Sequence, residues 1–297
     1  MRVDPFYVVN LSGALDQTQA TQQQLTNEVS SGLRVTTLGT DPVAVAENAQ
    51  LLNQIQRDDS FTQTSSLAEG MLQVTDSSLG SVVTQLTQAI SLATEGNNGT
   101  LNSSDLKSIA NQIAGIRDEV LSLANTSYQG QYVFAGSASG TAPFALDNTT
   151  TPPTVNYSGN GTVNVLQAPN GQTVSLNLPG SQVFASATSS VFGALNNLIQ
   201  DFSNGSTASS ASDLASLNTA MNWVSQQRVG LDNSLNQVRA ASSAATAEST
   251  QLTTVQTNLM QADIPAVASQ LSLTESQQSA LINVISALGS GSLFDKL

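Results

Sequence analysis

From Leu214 to Leu259 one seam runs without a break. Leu214, Leu217, Met221, Val224, Arg228, Leu231, Leu235, Val238, Ser242, Ala245, Ser249, Leu252, Gln256 and Leu259 follow at alternating steps of three and four. A strand repeats every second residue and cannot use that spacing, whereas a helix presents it as one stripe. Fully helical, the span is about 69 Å long at 1.5 Å per residue, which predicts an elongated antiparallel helical bundle in a mostly α chain. Asp213 is placed to cap this rod behind a linker at 203–212. Asp263, Ile264 and Pro265 are placed to end it, since proline is accepted only in a helix's first turn.

Other segments repeat the seam. Asp41 followed by Pro42 reads as an N-cap with proline at the first helical position, predicting a helix from Pro42 to about Ser60 or beyond. Leu72, Leu79, Val82, Leu86 and Ala93 suggest a second helix, closed by the turn Gly96-Asn97-Asn98-Gly99. Ser104 or Asp105 can cap the next, where Leu106, Ile109, Ile113, Ile116, Val120 and Leu123 continue the spacing in an antiparallel hairpin. A short helix is expected from Ser190 to Phe202. Between residues 128 and 178 the character changes to short β-branched runs punctuated by Gly, Pro, Asn and Thr. Asn160-Gly161 and Asn170-Gly171 are hairpin-turn signals there, so a small β-rich insert is predicted.

Composition narrows function. Only 4% of residues are aromatic, which favours thin bundles over one large core. The chain has no Cys and no His, which removes thiol nucleophiles, Ser/His triads, the usual zinc sites and imidazole acid/base chemistry. Asp58/Asp59 and Asp118/Glu119 are adjacent carboxylates, but helical neighbours point apart and read as solvated charge. No catalytic residue, cofactor or metal ligand is expected. With 21 acidic and 8 basic residues the net charge is −13, which disfavours nucleic acid and anionic membrane surfaces as partners. No apolar run has the length of a signal peptide or a transmembrane helix.

The two ends carry matching seams. Val8, Leu11, Leu15, Thr18, Gln22, Leu25 and Val29 form one; Ile264, Val267, Leu271, Thr274, Gln278, Leu281, Ile285 and Leu288 form the other. Packed antiparallel, they pair Val8 with Leu288, Leu11 with Ile285, Leu15 with Leu281, Leu25 with Leu271 and Val29 with Val267. Thr18 then meets Gln278 and Gln22 meets Thr274. A shift of one heptad sets those four polar groups against Leu, Ile or Val, at roughly 1 to 3 kcal/mol for each group left unpaired. About ten seam side chains, at roughly 1.5 to 3 kcal/mol each, do not outweigh the ordering of some forty residues at about 1 to 2 kcal/mol each. Both ends are therefore expected to order when neighbouring subunits cover them. The domain plan that follows is 1–40 with 261–297 as a terminal coiled-coil assembly domain. Residues 41–127 with 190–260 form a helical rod and 128–189 the β-rich insert.

Several runs resemble a known family. Ser30-Ser31-Gly32-Leu33-Arg34-Val35 and Asp41-Pro42-Val43-Ala44 are similar to the SSGxRV and DDPxA elements of the flagellin superfamily. Here Thr40 replaces the first Asp and Leu33 the usual Lys. Asn98-Gly99-Thr100-Leu101, Leu123-Ala124-Asn125-Thr126, and Gly130-Gln131-Tyr132-Val133-Phe134-Ala135-Gly136 with Pro143-Phe144 resemble the hook-associated protein 3 branch, with Gln131 in place of Arg. Gln227-Arg228-Val229-Gly230-Leu231 resembles a superfamily helix, where close packing is the expected reason for Gly230. The tail Ser292-Leu293-Phe294-Asp295 is similar to the family ending. The resemblance implies a non-catalytic flagellar subunit, exported unfolded through the flagellar type III apparatus without signal cleavage. It also implies a homo-oligomeric ring between hook-associated protein 1 and the flagellin filament, and an export chaperone on the C-terminal region. Arg34, Asp41 and Pro42 become inter-domain loop and helix cap. The rival readings are a flagellin filament subunit and a secreted coiled-coil adhesin.

Overall fold

A computed structural model describes residues 5–35, 39, 41–186 and 189–289. It is mostly helical, with α1 (Pro5–Ser31), α2 (Pro42–Gly96), α3 (Ser103–Ala124), the single turn α4 (Gly180–Val183), α5 (Val191–Ser203), α6 (Ser210–Met260) and α7 (Ile264–Gly289). Among the described residues, eight short strands form four separate antiparallel ribbons. These pair β1 (Ser127–Tyr128) with β2 (Gln131–Tyr132), β3 (Phe144–Asp147) with β4 (Thr154–Tyr157), β5 (Val165–Gln167) with β6 (Thr173–Ser175), and β7 (Ala185–Ser186) with β8 (Ser189–Ser190). The helical bundle with a small β insert is the architecture expected from the spacing. Contacts divide the chain into one unit from Met1–Gln56 with Glu248–Leu297, and another from Arg57–Ala247.

Within the larger unit the seams of four helices meet. Leu72, Leu79, Val82 and Leu86 of α2 pack with Ile109, Ile113 and Val120 of α3, Leu195, Leu198 and Phe202 of α5, and Leu217, Val224 and Val238 of α6. The helix expected from Pro42 to about Ser60 or beyond and the separate one expected at Leu72–Ala93 are a single 55-residue element that runs to Gly96. No proline interrupts it, and its Gly70 faces Tyr128, whose hydroxyl occupies the space a Cβ would take. Gly96 closes the helix against the Phe202 ring, 2.6 Å from a notional Cβ. The cap of α3 is Asn102, not Ser104 or Asp105. Its side chain accepts from the amides of Ser104 (2.8 Å) and Asp105 (3.0 Å), while the Asp105 carboxylate reaches back to the Asn102 amide in a capping box. Asp213 likewise lies inside α6, which starts three residues earlier at Ser210.

The insert is rooted by aromatic rings in a chain that has few. Phe134, Phe144, Phe184 and Phe192 contact one another at centroid distances of 5.3 to 5.8 Å. Such pairs contribute about 0.5–1.5 kcal/mol each beyond area burial. At their edge the Asn125 side chain accepts from the Phe144 amide at 3.0 Å and donates to the Phe144 carbonyl at 2.8 Å. It thereby replaces a missing strand neighbour for β3. Asn170-Gly171 makes the β5–β6 turn as expected, with Gly171 at φ 85°. Asn160-Gly161 does not make a hairpin. Its Asn160 carboxamide oxygen accepts from the Ser137 amide at 2.9 Å and its nitrogen donates to the Ser137 hydroxyl at 2.7 Å, pinning the chain beside Gly136. The β1–β2 turn, Gln129-Gly130, has φ of 50° and 79°, the primed-turn geometry more often carried by Asn-Gly. Gly230 meets nothing within 4 Å, so close packing is not its reason and the structure supplies no other.

Replacing Asn125 by Ala leaves the Phe144 amide and carbonyl without their partners. It should lower unfolding free energy by about 2 kcal/mol. Urea titration followed by Trp223 fluorescence checks this, because that indole donates to the Gln182 carbonyl at 2.6 Å beside the insert.

Candidate assembly interface at the paired ends

The smaller unit is built on α1 and α7, and its geometry begins with a backbone strap. Gly32 takes φ 71° and its amide donates to the Glu28 carbonyl at 2.9 Å, ending α1 in a left-handed turn. The next residues run antiparallel to the connection between α6 and α7. Leu33 bridges Gln261, the Arg34 amide donates to the Met260 carbonyl at 2.7 Å, and the Ala262 amide donates to the Gly32 carbonyl at 2.9 Å. These bonds satisfy backbone groups that two helix ends would otherwise leave open.

Arg34 adds its side chain to the same junction. One guanidinium nitrogen donates to the Leu259 carbonyl at 3.2 Å and another to the Asp41 carboxylate at 3.3 Å. The first contact puts a cation on the negative end of α6. Asp41 in turn accepts from the Ala44 amide at 3.1 Å and so caps α2, with Pro42 as its first residue. The Ala44 amide, and behind it the Arg34 guanidinium, hold the Asp41 carboxyl below the usual carboxylate range against the opposing effect of burial. Asp263 repeats the device for α7, accepting from the Ala266 amide at 3.2 Å. Beside the strap, Asn48 accepts from the Gln256 side-chain amide at 2.8 Å.

Burial along the two helices follows one stripe on each. On α7, Val267 and Thr274 are buried and Leu271, Gln278, Leu281 and Ile285 half-buried, while Ile264 is exposed. On α1, Leu25 is buried and Leu11, Leu15, Thr18 and Gln22 are half-buried. Leu25 clusters with Ala262, Val267 and Leu271. The side chains of Val8 and Leu288 lie outside the described residues, as do Thr40 and the tail 290–297. One seam position differs from expectation. Val29 is 37% exposed and Glu28, at 7%, takes the inward place, where its carboxylate accepts from the Gln24 amide nitrogen at 3.0 Å. The strap accounts for this, because joining residues 32–34 to 260–262 sets the rotation of the last turn of α1. The polar layer is also satisfied differently. The Thr18 hydroxyl donates to the Ala14 carbonyl at 2.7 Å and the Thr274 hydroxyl to the Gln270 carbonyl at 2.8 Å, each within its own helix.

Sequence reading missed the inward Glu28, the Ala262 contact and the Asp263 cap. Asp263 followed by Ile264-Pro265 carried the same cap signal that identified Asp41-Pro42. Among the described residues, no group of three or more acidic side chains is placed to hold a metal ion, and no helix is long and apolar enough to cross a membrane.

Residues 8–139 match the model of the bacterial flagellin N-terminal helical region. That stretch is similar to a flagellin-type helical region over somewhat under half of the chain. It takes in α1, the strap, α2, α3 and the β1–β2 ribbon. The chain is also similar to flagellar hook-associated protein 3 of Salmonella typhimurium, 33% identical over 185 residues, which are 62% of this chain and 56% of that protein. The protein of that name from Escherichia coli is 36% identical over 141 residues, 47% of this chain and 44% of its own. The chain thus spans about half the length of the curated relatives it matches. Its fold is similar to a structure described as a putative flagellar hook-associated protein from Vibrio parahaemolyticus, at a TM-score of 0.66 and 19% identity, covering 75% of this chain and all of that one. The matched stretch contains the Leu123-Ala124-Asn125-Thr126 run and the 130–136 motif. The structure brings both motifs to the root of the insert, with Asn125 on Phe144 and Phe134 in the aromatic cluster.

Two measurements probe this interface. Replacing Leu15 and Leu281 together by Cys should give an oxidative crosslink in the assembled state, in higher yield than Leu15 with Leu288. A better yield from the second pair would overturn the register. Asp41→Ala should speed amide exchange in the first turn of α2. In the parent chain the same loosening should appear only as pH falls through the depressed Asp41 titration, since a lowered carboxyl stabilises the fold above its unfolded pKa and loses that effect in acid.

Proposed function

We propose that this chain is a non-catalytic structural subunit of the bacterial flagellum that joins hook to filament. The observation that carries this reading is its similarity to two curated proteins named flagellar hook-associated protein 3. Supporting it, two of the motifs that resemble that branch, the 123–126 run and the 130–136 stretch with Phe144, converge on one aromatic root.

The assembly interface in this reading is the pair of terminal seams, residues 1–40 with 261–297, held by Arg34, Asp41 and Pro42. Apolar side chains remain exposed on both helices. Val9 is 66% exposed on α1, and Leu273 is 63% and Ile282 48% exposed on α7. Neighbouring subunits in a homo-oligomeric ring cover these groups, completing a pair that buries few large side chains by itself. Hook-associated protein 1 lies on one side and flagellin on the other. The chain leaves the cell unfolded through the flagellar type III apparatus with a dedicated chaperone, and works outside the cell.

Deleting the gene should leave hooks that form normally while flagellin is shed into the medium. Complementation by the full chain should restore filaments, and complementation by a chain lacking residues 289–297 should not. Normal filaments in the deletion strain would refute the junction role.

A further inference from the structure

The corner between α5 and α6 brings two carboxyl groups together. Asp201 lies in the last turn of α5 and Asp213 in the first turn of α6. Asp213 is only 9% exposed, and its Oδ1 accepts from the Asn197 side-chain amide at 3.3 Å. Oδ2 of Asp201 is buried and receives no donated hydrogen bond. Asn197 and Asp201 stand one turn apart on the same face of α5, so the Asn197–Asp213 bond brings the Asp213 carboxyl beside that of Asp201.

Two carboxylates in contact cannot both stay charged. A proton between them converts repulsion into an O–H···O bond and gives the orphaned oxygen a partner. Helix ends decide where that proton sits. The C-terminal end of α5 disfavours an anion, so Asp201 is the side on which the proton is held. Burial, the bond to Asp213 and the charge of Asp213 all push the Asp201 carboxyl up. Other charged groups stand on the packed elements, namely Glu95 at the end of α2 and Asp105, Lys107 and Arg117 on α3. Arg117 is engaged by Asp118 at 2.8 Å and Asp105 by its capping box. Asp213 is the one whose charge acts on Asp201.

We propose that Asp201 and Asp213 share a single proton, making the α5–α6 corner a clasp that tightens in acid and loosens in alkali. The folded chain keeps a proton that the unfolded chain releases, so the clasp's stabilisation is complete below the unfolded aspartate pKa. It is lost as pH rises through the folded value. Loosening frees the connection at 204–209, where the Ser206 amide donates to the Asp201 carbonyl at 3.0 Å. It also frees Ser210, whose hydroxyl bonds Asn97 in the turn between α2 and α3. Opening the clasp therefore releases this end of the larger unit.

Carboxyl-carbon NMR on the full chain tests the proposal, with assignments from Asp201→Asn and Asp213→Asn. Asp201 should titrate above the ordinary aspartate range, and Asp213→Asn should move that titration down. Both groups titrating at or below the ordinary range overturns the proposal, and the parent chain alone decides this if a variant does not fold. Protection factors for the Ser206 and Asp213 amides should fall at least about threefold across the Asp201 titration and stay level in Asp201→Asn. An equal fall in both chains also overturns it.

Discussion

A helix whose only large side chains lie on one narrow stripe cannot bury that stripe against itself. Every long helix here is of this kind, built from Ala, Ser, Thr, Gln and Asn with Leu, Ile or Val at seam positions. Each therefore depends on partners distant in sequence. In the larger unit α2, α3, α5 and α6 close around a shared core of Leu, Ile and Val. In the smaller one α1 and α7 have each other, and Leu25 with Val267 is the centre of a thin contact. The hydrophobic effect scales with area removed from water, so the two units differ in how completely they hide their seams.

Where seams end, backbone groups need partners, and polar side chains supply them locally. Asp41, Asn102, Ser190 and Asp263 each accept from an amide in the first turn of a helix. The strap at 32–34 closes α1 and α6 with one set of bonds, and Arg34 places its charge on the carbonyl end of α6. Asn125 performs the same service for a strand. Asp41 and Asn125 are half-buried, and there a donor left unsatisfied would cost about as much as a seam leucine contributes.

Much of this was legible before any coordinates. The seams of α1, α6 and α7, the break before Pro265, the cap at Asp41 and the turn at Asn170-Gly171 all follow from short-range spacing, and spacing is what a sequence displays. Failures arose where a distant residue decides. Asn160-Gly161 carries the same hairpin signal as Asn170-Gly171, yet Ser137 holds its side chain. The two helices expected between Pro42 and Ala93 are one because nothing in that stretch forbids a helix, and packing against Tyr128 and α6 supports it. Spacing and residue type put Val29 at the last seam position, whereas in the fold, with the strap setting the rotation, Glu28 takes the inward place.

The sequence alone determined that this chain would be a bundle of seamed helices with matched polar-centred ends, without thiol or imidazole chemistry, because periodicity and residue type are local properties. Tertiary structure alone decided which polar groups satisfy one another. Asn125 clamps Phe144, Arg34 joins Asp41 to Leu259, and Asn197 reaches Asp213 across a helix corner. Those partners lie from a few to more than two hundred residues apart. No pattern in a linear chain marks them, since a hydrogen bond or a shared proton depends on positions that only the closed core creates.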